Sequence, residues 1–296
     1  MSEYCRQNLN LSSFRADNSW VVLSPIEKQI KEKIEKVGKP LKDWDINIYR
    51  GILTGYNEAF IIDGKTKDAL IAKSAKNAEI IRPILRGRDI KRYNIDFANL
   101  WLIATFPSKN YNIDDYPDVK EHLLSFGYDR LKQTGEPGAR KKTNNQWFET
   151  QDSISYWDDF SKQKIVYPNM TKFLPFYLDN SGFYQNDKSF MITGSNIAFL
   201  TAFLNSSLFK YCFIDNFPEL QGGTRELRKI FLDKIPVIPV NEATNQLFLE
   251  KINQTQVLKI DNQSTKDIEV EIDNLIFDLY KLTDEERKNI GFIEIQ

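Results

Sequence analysis

Short strand-like segments alternate with helical segments along most of the chain, and this alternation constrains the fold more than any other feature. Residues 45–50 place Ile46 and Ile48 on one face, residues 51–55 contain two glycines, and an apolar run follows at 59–62. This order predicts a strand, a glycine-bearing loop and a second strand. Further strands are predicted at 100–105, 164–167, 176–178 and 189–193, and helices near 77–85, 117–133 and 195–214. The expected fold is α+β, with a mixed sheet, flanking helices and a C-terminal helical appendage.

Helix-capping signals mark both ends of this region. Ser24 to Glu27 forms a capping box with proline at the first helical position, and Gly38 and Pro40 end the predicted helix. In the C-terminal part, one helix face collects the apolar residues Ile268, Ile272, Leu275, Ile276 and Leu279, and a second capping box runs from Thr283 to Glu286. Three parts are predicted: a connector with a capped helix at 1–40, a main domain at 41–240, and an acidic helical tail at 241–296 that packs on the body.

The distribution of charge matters more than the net charge of -1. Residues 241–296 hold 6 basic and 12 acidic residues, which leaves 34 basic and 29 acidic residues in the rest of the chain. A mildly basic body therefore precedes an acidic tail, and a local positive field attracts phosphate. The N-terminus lacks a basic segment followed by an apolar one, and no apolar run approaches a membrane span. We expect a cytoplasmic protein with no membrane partner.

The sequence offers little for catalysis. Cys5, Cys212 and the single His122 are too few for a zinc site or a nucleophile with its histidine base. No two prolines are adjacent and no glycine-rich turn leads from a strand into a helix, so the chain lacks the usual parts of an amino-methyltransferase. Short carboxylate and lysine matches to a nuclease occur at chance level. We therefore predict no catalytic residue, bound cofactor or metal in this chain.

Basic residues cluster at three places and are candidates for DNA phosphate contacts. The segment 82–93 is dense in arginine, residues 140–142 lie in a long irregular segment at 134–163, and Gly222 and Gly223 precede two arginines. The phosphate candidates are Arg82, Arg86, Arg88, Lys91, Arg92, Arg140, Lys141, Lys142, Lys172, Arg225 and Arg228. The alternatives remain open that the arginine-rich segment is a scaffold or a solvated face, and that the irregular segment is mobile.

Polar side chains beside these clusters are candidates for reading base edges. Amides and hydroxyls in loops at strand ends can bond to adenine or cytosine edges, and an aromatic neighbour such as Trp147 can stack on a base. The base-readout candidates are Thr54, Asn57, Asn144, Asn145, Gln146, Asn169 and Thr171.

An ordered set of sequence pieces resembles one known family. GILTGYNEAFIID (51–63) and IIRPILRGRDIKRY (80–93) are followed in order by QWFE (146–149), KIVYPNM (164–170), FYLDNSGFYQNDKSFMITG (176–194), NIAFLTAFLNSSLFKYCF (196–213), LRKIFLDKIPVIPV (227–240) and EIDNLIFDLYKLTDEE (271–286). Together they resemble the TaqI-like C-terminal specificity domain of type IIG restriction enzymes and adenine-specific DNA methyltransferases. The resemblance covers about residues 25–290.

The resemblance implies that the main domain recognises a DNA sequence and positions double-stranded DNA for adenine methylation, with or without cleavage. The catalysis belongs to methyltransferase and nuclease domains that this chain lacks, together with their S-adenosylmethionine and any magnesium. A methyltransferase domain or subunit is therefore an expected partner. The alternative function is a protein–protein assembly subunit of a restriction-modification complex without base readout.

Overall fold

The computed structural model describes residues 24–172 and 174–292 of the 296-residue chain. The α-helices are α1 (Pro25–Val37), α2 (Asn57–Phe60), α3 (Gly64–Lys73), α4 (Pro117–Leu124), α5 (Tyr128–Leu131), α6 (Ile197–Leu204), α7 (Ser207–Phe213), α8 (Lys229–Leu232), α9 (Glu242–Ile260), α10 (Lys266–Leu279) and α11 (Asp284–Ile290). The β-strands are β1 (Lys39–Pro40), β2 (Ile46–Arg50), β3 (Ile61–Asp63), β4 (Ile81–Leu85), β5 (Ile90–Lys91), β6 (Asn94–Ile95), β7 (Leu100–Ile103), β8 (Lys164–Pro168), β9 (Met170–Thr171), β10 (Tyr177–Asp179), β11 (Tyr184–Gln185), β12 (Ser189–Gly194), β13 (Glu219–Leu220), β14 (Thr224–Glu226) and β15 (Pro236–Val237). Both classes of element are present, which confirms the predicted α+β fold.

The central sheet is antiparallel, with strand order β10-β8-β12-β2. Side chains alternate between its two faces, as the strand period requires. Ile165, Tyr167 and Ile192 belong to the hydrophobic cluster on one face, and Val166 and Met191 belong to the cluster on the other. All four strands lie where the sequence predicts strands, so these four strand predictions are confirmed.

The second sheet has the order β11-β4-β7-β3, in which only the β11 and β4 pair is parallel. The helix predicted near 77–85 is wrong, because a short 3-10 turn at Ala75–Glu79 leads into strand β4. Ile80, Ile81, Ile84 and Leu85 have a spacing that suits a helix face, yet Ile81 pairs with Ile103 of β7. Tertiary pairing decides such an ambiguous apolar run.

The larger hydrophobic cluster, here called the helical core, lies on one face of the central sheet. It contains buried residues of α1, α6, α7, α9 and α10 together with Tyr280 and Leu282. The predicted N-terminal capping box is present, because Ser24 and Glu27 bond reciprocally. Helix α1 ends at Val37, and Gly38 is its C-cap. The helix predicted to carry the stripe from Ile268 to Leu279 is α10, and Ile272 and Ile276 are 1% and 0% exposed. These residues lie in the same hydrophobic cluster as buried residues of α1, α6 and α7.

The second cluster, here called the loop core, lies on the other face of the central sheet. It combines residues of β3, β4 and β7 with α3, α4 and the irregular segment that precedes β8. Phe60, Phe160 and Ile103 are fully buried in it. The predicted irregular segment at 134–163 has no α-helix or strand, and a 3-10 turn at Trp157–Ser161 is its one regular element among the described residues.

Within the described ranges, no single helix is long and apolar enough to cross a membrane. Helix α6 and the following segment Ser207–Asn216 have the length and composition for it only as a pair bent by 65°. Every residue of α6 is buried inside the protein.

Candidate nucleic-acid interface

The arginine-rich segment contains a tight turn, directly after β4, in which the Asp89 carboxylate binds Arg86. The Asp89 carboxylate accepts from the Arg86 main-chain N–H at 2.8 Å, from Nε at 2.9 Å and from Nη2 at 2.7 Å. These bonds raise the pKa of Arg86. Because Asp89 is 4% exposed while the Arg86 side chain is 27% exposed, the carboxylate is a buried support and the guanidinium faces partly outward.

This turn forms one wall of an open groove of about 370 Å³. The groove is lined by Arg86, Gly87, Arg88, Pro168, Asn169, Met170, Asn186 and Lys188. The two walls touch at Gly87, where an added Cβ would lie 2.8 Å from the Lys188 carbonyl oxygen. The fold thus brings the phosphate candidates Arg86 and Arg88 beside the base-readout candidate Asn169.

Hydrogen bonds between main-chain groups hold the opposite wall of the groove. Asn169 donates its N–H to Lys188 at 2.8 Å and accepts from the N–H of Leu227 at 2.8 Å. Met170 follows at the groove edge with 54% of its surface exposed. Asn186 and Lys188 are groove residues that the sequence reasoning missed, although the polar run 185–188 at the end of a strand is the kind of signal that selected Asn169.

A three-stranded sheet, β13-β14-β9, continues this wall. Arg225 lies opposite Thr171 in it, and its guanidinium bonds to Asp215 and Glu219 at 2.9 Å each. Arg225 therefore braces the hairpin that contains Gly222 and Gly223. Lys172 is exposed close to Gly222, and Arg228 pairs with Glu226 while keeping 60% of its side chain exposed.

The glycine loop, defined as residues 51–57, lies beside loop 132–151. Thr54 is fully buried and donates to Asn57 Oδ1 at 2.7 Å, so its assignment as a base reader is wrong because its hydroxyl cannot reach solvent. Asn57 itself is exposed.

Arg140 is buried, whereas the sequence analysis predicts that it contacts DNA phosphate. Its side chain is 2% exposed, and its guanidinium donates to four main-chain carbonyls at 2.6–2.8 Å, those of Thr54, Leu131, Trp147 and Glu149. Burial lowers the pKa of Arg140 to about 10. Its assignment as a phosphate contact is wrong, because these bonds turn the guanidinium inward.

The residues after Arg140 face outward. Lys141, Lys142, Asn144 and Gln146 are exposed, whereas the amide of Asn145 donates to the carbonyls of Thr150 and Gln151 at 3.2 and 3.0 Å. Asn145 thus supports the loop from within. Internal hydrogen bonds of this kind hold loop 132–151 in shape. Its outer edge exposes the side chains of Lys141, Lys142, Asn144 and Gln146.

A strip of charged residues connects the groove with loop 132–151. Arg50 bonds to the carbonyl and carboxylate of Asp187 at 3.0 and 3.4 Å, and Lys188 lies 3.3 Å from the same carboxylate. Burial raises the pKa of Asp152, and the charges of Arg50 and Lys141 oppose that shift. Asp152 thus feels the charge of Arg50, which is bonded to Asp187 beside the groove, and the charge of Lys141 in loop 132–151. The groove, this strip and the outer edge of loop 132–151 are together called the candidate recognition surface.

Three members of the arginine-rich segment lie off this surface or at its margin. Arg82 donates to the carbonyls of Ala78, Glu79 and Ile81 and lines a separate cavity of about 220 Å³. Lys91 is half-exposed and donates to the carbonyl of Arg88 at 2.9 Å.

Arg92 instead connects the body with the tail. Its side chain is 11% exposed and lies 2.6 Å from the Glu269 carboxylate of α10. A second N–H of Arg92 donates to the carbonyl of Asn205. Its assignment as a phosphate contact is wrong, because both bonds hold the guanidinium inside the protein.

His122 and the cysteines take no part in this surface. The His122 Nε2 lies 3.2 Å from the Ala59 carbonyl oxygen, and burial lowers the pKa of the imidazole. Cys212 is half-buried, and Cys5 lies outside the described residues. In the part of the chain that the structure describes, no three His, Cys, Asp or Glu side chains are grouped as a metal site requires.

Comparison with known proteins identifies one matching family and two solved structures with a similar fold. The TaqI-like C-terminal specificity domain matches residues 82–237. No curated protein matches the chain. The type IIG restriction endonuclease BpuSI has a similar fold, with 15% identity, a TM-score of 0.53, and coverage of 87% of this chain and 34% of that one. The type IIL restriction-modification enzyme MmeI, solved in complex with DNA, gives 11% identity, a TM-score of 0.54, and coverage of 85% and 35%. The chain thus spans about a third of either enzyme.

Proposed function

Because the chain belongs to the TaqI-like C-terminal specificity domain family, we propose that it is the part of a restriction-modification enzyme that selects the DNA sequence. The observation that carries this proposal is the groove, where the basic side chains of Arg86, Arg88 and Lys188 lie beside the partly exposed amide of Asn169. Basic groups hold phosphates without regard to sequence, while amides discriminate between base edges. Both kinds of group are needed for sequence selection.

The groove suits double-stranded DNA more than a small ligand. It is open to solvent, and the charged strip from Asp187 to Lys141 extends it toward the exposed side chains of loop 132–151. An open groove with exposed basic side chains nearby offers several contacts along a duplex, whereas a site for a small ligand encloses most of that ligand. We assign phosphate contacts to Arg86, Arg88, Lys141, Lys142, Lys172, Lys188 and Arg228, and base readout to Asn57, Asn144, Gln146 and Asn169.

We propose that the selected site is positioned for adenine methylation by a methyltransferase part, with which this chain is fused or assembled. S-adenosylmethionine would supply the methyl group in that part, and any magnesium would serve cleavage there. The groove residues bind and orient the duplex. None of the groove side chains is a nucleophile paired with a general base.

The test measures binding of the chain to a pool of random-sequence duplexes by fluorescence anisotropy over a range of salt. Arg88→Ala and Lys188→Ala are each expected to weaken binding and to lower the slope of log affinity against log salt by up to about 0.9, because one fewer counterion is released. Lys28→Ala is the control, since Lys28 is an exposed lysine of α1 with a side chain 57% exposed.

The proposal fails if the unchanged chain shows no salt-dependent binding, or if Lys28→Ala changes the slope as much as the groove variants do. Absence of DNA binding together with co-purification of a protein partner would favour the assembly-subunit alternative.

A further inference from the structure

Two loops that lie far apart in sequence meet at one buried guanidinium. We propose that Arg140 is a positioning residue that joins the glycine loop and loop 132–151 into a single DNA-recognition element. This inference rests on the proposed function, because it concerns how the same surface is held in shape. It assigns to Arg140 a role in specificity without any contact to DNA.

The partners of Arg140 come from both loops. Nη1 donates to the Thr54 carbonyl at 2.8 Å and to the Glu149 carbonyl at 2.7 Å, so a single nitrogen bridges the two segments. Nε and Nη2 bond to the carbonyls of Leu131 and Trp147 at 2.8 and 2.6 Å, near the two ends of loop 132–151. The rigid fork of the guanidinium fixes these four carbonyls relative to one another.

The burial of this charge is costly, which indicates that the geometry matters. The four partners are neutral carbonyls, so burial lowers the pKa of Arg140 to about 10, the nearby Arg130 adds to the shift and only Glu149 opposes it. At neutral pH the guanidinium remains protonated and keeps all its donors.

Two neighbouring side chains bind the same segments. Arg130 lies over the Tyr56 ring of the glycine loop, 4.3 Å from its centroid, and donates to the Gly138 carbonyl at 2.9 Å. Gln133 donates to the carbonyls of Gln146 and Glu149 at 3.0 and 3.1 Å. Arg140 is thus the centre of a network that closes loop 132–151 on itself and on the glycine loop.

The exposed residues around this network are candidate contacts to DNA phosphates and bases. Asn57 lies three positions after Thr54, and Lys141, Lys142, Asn144 and Gln146 lie between two of the Arg140 partners, all with exposed side chains. Arg140 fixes loop 132–151 relative to the glycine loop, and the main chain of Ile52 in the glycine loop bonds to Gln185 and Asp187 beside the groove. A base-reading amide displaced by about 1 Å loses its hydrogen bond, so loosening the network lowers discrimination more than general affinity.

The experiment compares Arg140→Lys with the matched control Arg92→Lys. Both keep the charge and lose the fork, and both sites are poorly exposed, but Arg92 bonds to Glu269 and Asn205, outside both recognition loops. Each variant of the full chain is equilibrated with a random-sequence duplex library, and bound duplexes are sequenced. Melting temperature and salt slope are measured alongside.

Both variants are expected to melt at lower temperature, and both should retain the salt slope of the unchanged chain. Only Arg140→Lys should reduce the enrichment of the preferred sequence over single-base variants, by about tenfold. Retention of the full enrichment by Arg140→Lys would overturn the inference and leave the proposed function standing. An equal loss in Arg92→Lys would also overturn it, because the effect would then follow stability alone. Absence of DNA binding by the unchanged chain overturns both.

If Arg140→Lys does not fold, Gly55→Ala tests the same contact from the glycine-loop side. The added Cβ would lie 2.6 Å from Gln151 Oε1 and 3.0 Å from Arg140 Cδ, at a residue with φ of +78°. This substitution is expected to push the loops apart and reduce enrichment in the same way. A folded Gly55→Ala chain with unchanged enrichment would overturn the inference.

Discussion

The two faces of the central sheet are stabilised in different ways. On one face, the helical core is continuous aromatic and aliphatic packing, with Phe199, Phe203 and Phe209 fully buried. On the other, the loop core supports an irregular segment whose shape depends on side chains bonded to main-chain groups, above all Arg140 and Gln133. Loop 132–151, which carries several of the candidate recognition residues, lies with the second face. Stability and recognition shape therefore depend on different residues, and substitutions can separate them.

The largest expected effect comes from removing the tail, because it contributes to the helical core. The tail buries Phe248, Ile252, Ile272, Ile276, Phe277, Tyr280 and Leu282. Each such side chain is worth roughly 1.5–3 kcal/mol, so the loss of about 10 kcal/mol or more matches the whole stability of a typical domain. A chain ending at residue 240 is expected to aggregate or to lack a cooperative melting transition. A truncated chain that stays soluble and melts like the full one would contradict this.

An intermediate effect is expected from Asp273, the buried carboxylate of α10 that accepts from the Ser207 main-chain N–H at 2.9 Å. Burial raises the pKa of Asp273 to about 6, above its value in the unfolded chain. The folded state then binds more protons between about pH 4 and pH 6. Stability from this group is therefore present at low pH and is lost as pH rises through 6, by about 3 kcal/mol.

Denaturant-induced unfolding of the unchanged chain and of Asp273→Asn, followed between pH 4 and pH 7, measures this contribution to the free energy of unfolding. The amide cannot ionise, so the falling component of the pH profile should disappear in the variant. An identical pH profile for both chains would show that the carboxylate ionises without penalty. DNA enrichment should be unchanged at any pH where both chains are folded, because Asp273 lies in the helical core.

The smallest effect on stability, and the sharpest test of the contrast, is expected from Asn144→Ala. Asn144 is exposed on loop 132–151, so its replacement should change the free energy of unfolding by less than about 0.5 kcal/mol. If its amide reads a base edge, discrimination at one base pair should fall by about 1–3 kcal/mol. Thermal melting and competition binding between the preferred duplex and single-base variants measure the two quantities. A change in melting without a change in discrimination would reverse the assignment.

The sequence predicts the helical face better than the loop face. The capping boxes at Ser24 and Thr283 and the apolar stripe of α10 are local signals, and local signals decide where regular helices lie. Strand β4 was missed as a strand because its apolar spacing also suits a helix, and only pairing with β7 resolves the ambiguity.

Only part of the candidate site could be predicted, because the sequence shows residue types but not their distant partners. Arg86, Arg88 and Asn169 were selected by residue type and do lie together in the groove. Arg92 and Arg140 have the same residue type but bond to groups inside the protein, and their partners, Glu269 and the carbonyl of Thr54, are distant in sequence. No local pattern distinguishes an arginine that faces solvent from one that binds inside the protein.

The network around Arg140 also bears on how such a surface can diverge. Its guanidinium binds only main-chain carbonyls, which every amino acid supplies, so it places no demand on the identity of the side chains at residues 54, 131, 147 and 149. The outward residues of loop 132–151 can then be exchanged while the loop keeps its path. Variation in sequence preference and conservation of loop geometry are compatible in this arrangement, and libraries that randomise residues 141, 142, 144 and 146 should yield a high proportion of folded variants.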